Sequence, residues 1–120
     1  VSSFLNLQAT IDHLREASLK RLALVCGGTF EEAAFEDTLA AGAIADAVWD
    51  LFTDDSIEDS AQIARALWLA HGASLNASIQ YALNARRLLA VPELAADVDF
   101  CLQRDTIGQV VHLDPRGWVA

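Results

Sequence analysis

Glu36 and Asp37 are adjacent carboxylates that follow Gly27, Gly28 and Thr29 by a few residues. Two glycines and a threonine after an apolar run let backbone N–H groups approach an anion, and the acids then stand near a helix N-terminus. The same residues have plainer uses. Glycines serve as turn residues, and first-turn acids favour the helix dipole. Near the start of the chain, Ser3 and Asn6 form a second polar pair, suited to capping a helix or touching a ligand.

The flanking sequence indicates what would position these groups. Arg21-Leu22-Ala23-Leu24-Val25-Cys26 is a short apolar run with the length of a buried strand, and Val1 to Phe4 resembles the end of another. Between them a helix is expected from Asn6 to about Ser18, with Leu7, Ile11 and Leu14 on one face. An opening β-α-β favours a parallel pair with a right-handed crossover. Both strands would end on one edge, making neighbours of Ser3, Asn6, Gly27, Gly28 and Thr29 where open α/β sheets bind ligands.

Helices are expected over 35–52, 57–70, 75–89 and 92–102, the last opening on Pro92. Ala40, Ala41 and Gly42 allow close packing, and His71-Gly72 would close the third helix, with glycine in the left-handed position. Two short apolar runs around Pro115-Arg116-Gly117 suggest a terminal hairpin. The predicted fold is one α/β domain over 1–120, helix-rich and layered, with a small partly parallel sheet and a C-terminal hairpin.

Composition narrows the function. The chain has 120 residues, 53% hydrophobic, with a formal net charge of −9, which argues against a nucleic-acid binder. No apolar run reaches membrane-spanning length. Cys26 and Cys101 lie in apolar settings and are expected to be reduced, buried thiols of a cytoplasmic protein. The cysteines and histidines lack zinc spacing, and no Walker A or GxSxG motif occurs. The chain contains no methionine and opens on Val1-Ser2-Ser3-Phe4-Leu5, which suggests a piece of a longer protein.

Five segments in order carry a family resemblance. They are Ser3-Phe4-Leu5-Asn6, Leu24-Val25-Cys26-Gly27-Gly28-Thr29, Phe35-Glu36-Asp37-Thr38-Leu39-Ala40-Ala41-Gly42, Asn84-Ala85-Arg86-Arg87-Leu88 and Asp97-Val98-Asp99-Phe100-Cys101. Together they resemble the C-terminal half of 2-phosphosulfolactate phosphatases. That family implies a magnesium-dependent acid phosphatase releasing sulfolactate, a step toward coenzyme M. The family's N-terminal half carries an Asp-Val-Leu-Arg-Ala-like motif that has no counterpart here. Ala40 replaces a cysteine common in the family, and Ala85 stands where glycine is expected.

The resemblance implies roles. Gly27, Gly28 and Thr29 would offer N–H and hydroxyl groups to phosphate or sulfonate oxygens, with Ser3 and Asn6 contacting the substrate from the neighbouring strand end. Glu36 and Asp37 would be catalytic and would bind Mg²⁺, which takes hard oxygen ligands. Asp105 is a further candidate by resemblance alone. The implied partners are a small anionic phosphorylated substrate and either a second copy or the N-terminal half. A non-catalytic anion-binding or interaction domain is the alternative, and purely structural packing the third reading.

Overall fold

The computed structural model describes residues 1–119. Helices α1 (Leu7–Glu16), α2 (Phe35–Ala47), α3 (Asp59–His71), α4 (Leu75–Ser78), α5 (Leu83–Leu89) and α6 (Pro92–Cys101) carry the fold. Short 3-10 turns occur at Phe4–Asn6, Trp49–Leu51, Asp54–Ser56 and Ile79–Tyr81.

The expected sheet is a correction. Among the described residues there is no strand, only isolated antiparallel bridges Thr29↔Glu32 and Leu113↔Val119. Residues 20–27 are irregular, and Val25 is 93% exposed despite its apolar surroundings in sequence. A strand exists only with a partner for its ladder. Leu22 to Cys26 has the residue types of a strand, but no described segment pairs with it. The N-terminus comes nearest to pairing: Asp105 and Ile107 donate N–H bonds to the carbonyls of Phe4 and Leu5 at 3.0 and 2.8 Å. The terminal hairpin is likewise reduced to a single bridge around a tight turn, with Asp114 N–H bonded to the Trp118 carbonyl at 2.8 Å.

The helices match their sequence signals more closely. The predicted helix over 35–52 ends at Ala47 and continues as a 3-10 turn, and that over 75–89 is broken into α4, a 3-10 turn and α5. The helices α2 and α3 pack tightly because Gly42 has no side chain. A Cβ there would run into the Ala64 carbonyl and lie 3.0 Å from the Trp68 Cβ. Arg65 adds a clasp, with its Nε 2.8 Å from Asp46 and its guanidinium 4.2 Å over the Trp49 ring. Gly72 departs from expectation. Its φ is −68°, not left-handed, and it is accommodated because a Cβ would meet the Trp68 ring at 2.5 Å.

Phe4, Leu7, Leu39, Ala43, Ile44 and Leu75 form the main buried cluster. A smaller one joins Ala82, Ala85 and Val98, and Phe35 and Leu102 pack against both. Phe35 is the first residue of α2, so the hinge between the two clusters fixes the helix end that carries Glu36 and Asp37. Both cysteines are free and exposed, against the expectation of burial. Cys26 lies on the unpaired segment, and Cys101 at the end of α6.

Candidate functional site

The first turn of α2 faces a cavity of about 650 Å³. Ser3, Gly27, Glu36 and Asp37 all line it, with Cys26, Asn84 and Asp97. Of the five residues expected to be neighbours, Ser3 and Gly27 line this cavity and Asn6, Gly28 and Thr29 do not, and no sheet among the described residues brings them together.

Asp37 organises the glycine turn. Its Oδ2 accepts the backbone N–H of Gly28 at 2.7 Å across nine positions of sequence. Gly28 has φ +70°, and a Cβ there would lie 2.7 Å from the Glu32 carbonyl oxygen. Only glycine meets both demands at low cost. Thr29 N–H and Glu32 N–H each bond to the other residue's carbonyl at 3.0 Å, closing a two-residue turn. The N–H groups of Gly28 and Thr29 are thus committed within the protein. Gly27 N–H and the Thr29 hydroxyl have no such partner among the described residues.

Asn6 stands apart from the cavity lining. It is buried, its Oδ1 accepts the Ser3 N–H at 2.8 Å, and its Nδ2 donates to the carbonyls of Val1 and Gln109 at 3.2 and 3.0 Å. This side chain fastens the N-terminal segment that carries Ser3. Asp105 also has an anchoring role, its Oδ1 accepting the Gln8 N–H in the first turn of α1 at 2.6 Å.

Glu36 is the exception to this satisfaction. Its Oε2 is buried without a hydrogen-bond partner, the one such side-chain atom among the described residues. A buried carboxylate oxygen left unpaired is costly unless a cation or donor meets it. The donor set suits Mg²⁺, which binds through one or two carboxylates and keeps waters and phosphate oxygens as its other ligands. Glu36 Oε2 and the second oxygen of Asp37 are the donors at hand. No group of three or more His, Cys, Asp or Glu residues is gathered for a metal among the described residues.

Partial burial, and then the nearby Asp37 carboxylate, push the Cys26 thiol above its ordinary pKa. The thiol is kept protonated, which disfavours a nucleophilic role.

Sequence reasoning did not place Asn84 and Tyr81 at the site. Asn84 lines the main cavity and also a smaller one of about 130 Å³, shared with Thr29, Glu36, Tyr81 and Arg87. Tyr81 packs with Phe35 and His71, ring centroids 5.1 to 5.8 Å apart, an aromatic trio that no sequence periodicity signals.

A family model described as 2-phosphosulpholactate phosphatase matches residues 1–115. The chain is 34% identical over 102 residues to a "Probable 2-phosphosulfolactate phosphatase" of Pseudothermotoga lettingae, covering 85% of this chain and 42% of that protein. A protein of the same description from Prochlorococcus marinus (strain MIT 9313) is 31% identical over 107 residues, covering 88% and 44%. Another, from Caldicellulosiruptor saccharolyticus, is 25% identical over 111 residues, covering 89% and 46%. The chain spans less than half the length of these relatives.

Proposed function

This chain belongs to the 2-phosphosulpholactate phosphatase family, and we propose that it supplies one wall of a magnesium-dependent site hydrolysing the phosphomonoester of 2-phosphosulfolactate or a related small acid. The observation that carries the proposal is the orphaned Oε2 of Glu36, a residue that lines the cavity together with Gly27 and Asp37.

In this reading Glu36 and Asp37 hold the cation from the first turn of α2. When bound, Mg²⁺ neutralises charge on the phosphoryl oxygens. Gly27 N–H, the Thr29 hydroxyl and the Ser3 hydroxyl bind and orient the oxygens of the substrate. Gly28 keeps the turn closed against Asp37, and Asn6 holds Ser3 in place. Water adds to phosphorus as the ester P–O bond breaks, and the departing oxygen takes a proton, giving sulfolactate and inorganic phosphate. This is the reaction type of coenzyme M biosynthesis.

The rest of the site comes from a partner surface. Val25 and the run around it are apolar, exposed and without a ladder partner, and the relatives are more than twice as long as the matched region. The occupant in this reading is the portion of the relatives' length outside the match, pairing beside residues 20–27. Two free, exposed cysteines suit a reducing, cytoplasmic compartment.

A non-catalytic anion-binding domain is the second reading, favoured by the lack of a three-residue metal cluster among the described residues. Phosphate release from 2-phosphosulfolactate by the full-length protein, with and without Mg²⁺, separates them. Magnesium-dependent release supports the phosphatase; binding of the substrate without release under either condition supports the alternative.

A further inference from the structure

Glu36 and Asn84 line both the main cavity and the smaller one, so the two spaces share a wall. The smaller cavity is lined by Thr29, Glu32, Glu36, Tyr81, Asn84 and Arg87, among others. Its volume of about 130 Å³ is several times a water's share of liquid, ~30 Å³. That is room for one small acidic group. Arg87 is the cation in its lining, and its guanidinium makes no salt bridge or side-chain hydrogen bond among the described residues. Its neighbour Arg86 is committed instead, donating to the Gln80 carbonyl at 2.7 Å.

Above Arg87 stands a strained turn. Phe30 and Glu31 have φ of +51° and +66°, and they are the two central residues of the turn closed by Thr29 and Glu32. Such turns select Asn-Gly or Gly-Gly, and a bulky residue there is costly. Core packing does not offset the cost, because Phe30 is 84% exposed. The ring instead lies 5.9 Å from the Arg87 guanidinium carbon, within cation–π range. Strain held at an exposed position points to function.

We propose that Arg87, held by Phe30 and flanked by Asn84, Tyr81 and the Thr29 hydroxyl, is the specificity determinant for a sulfonate on the substrate. A permanently charged sulfonate has three acceptor oxygens to share among a guanidinium fork and neutral donors. The Glu32 carboxylate in the same wall would repel an anion, and Arg87 is the cation in the lining that offsets it. This inference rests on the phosphatase reading for its substrate, but it is a claim about binding and is tested without turnover.

The test measures dissociation constants of sulfolactate and of lactate, which lacks the sulfonate, for the full-length protein by calorimetry with Mg²⁺ present. The wild type should prefer sulfolactate, and Arg87→Gln should reduce that preference by roughly 10- to 100-fold, the size of one lost charge-assisted hydrogen bond. Lactate affinity should change little. Phe30→Gly should relieve the turn yet weaken the preference in the same direction, by a smaller factor. Equal loss for both ligands in Arg87→Gln, or an unchanged preference, overturns the proposal, as does a wild type with no preference. Retained sulfolactate preference without phosphate release would overturn the phosphatase reading alone.

Discussion

Asp37 accepts the Gly28 N–H at 2.7 Å, and this bond ties the glycine turn to the helix end that carries Glu36. A turn with a positive φ and a helix start nine residues later become one unit. The acid therefore has two expected roles, one of which is to fasten the loop that forms the cavity.

Gly28→Ala tests the turn. Its Cβ would sit 2.7 Å from the Glu32 carbonyl in a backbone region that L-residues rarely adopt. The expected loss is roughly 1–2 kcal/mol in urea unfolding, together with weaker phosphate binding. Unchanged stability would contradict the turn geometry.

Gly42→Ala tests the packing of α2 on α3. The added methyl would be driven into the Ala64 carbonyl, so the helices must move apart, and a loss of about 3 kcal/mol is expected. A variant as stable as the wild type would show that the two helices do not approach this closely.

Cys26 reports on Asp37 directly. Partial burial and the carboxylate hold the thiol protonated, so iodoacetamide should modify it at pH 8 more slowly than an unstructured peptide thiol. Asp37→Asn removes the second cause and should speed modification about two- to threefold. No change on substitution would separate the thiol from the acid.

Asp114 gives a pH test remote from the site. The backbone N–H of Trp118, then the Arg116 side chain, hold its carboxyl below the ordinary range. A depressed pKa means that the turn's stabilisation is complete above the unfolded value and fades as pH falls through the folded one. The Trp118 amide signal should therefore titrate with its midpoint below about pH 3.9. A midpoint above that value contradicts the assignment.

Much of the helical order was legible in the sequence because apolar spacing at 3.6 residues is a local signal: Leu39, Ala43 and Ala47 declare α2. Residues 22–26 misled for a physical reason. A strand is completed by a neighbour, and the types in Leu22 to Cys26 say nothing of whether one is present. Ser3 and Gly27 do line one cavity with Glu36 and Asp37, but the parallel sheet from which their nearness was expected is absent among the described residues. That Asn6 is bound to the Val1 and Gln109 carbonyls was not legible, since the bond to Gln109 spans 103 positions. The Phe35, His71 and Tyr81 trio likewise depends on tertiary contacts.

The role of Glu36 is tested most directly by Glu36→Gln in the full-length protein, with phosphate release from 2-phosphosulfolactate followed across a Mg²⁺ titration. Release should fall by roughly two orders of magnitude or more, as expected when a metal-holding carboxylate is lost, while circular dichroism stays native. Magnesium dependence identical to the wild type, at the same rate, would contradict the assignment of Glu36 and with it the site.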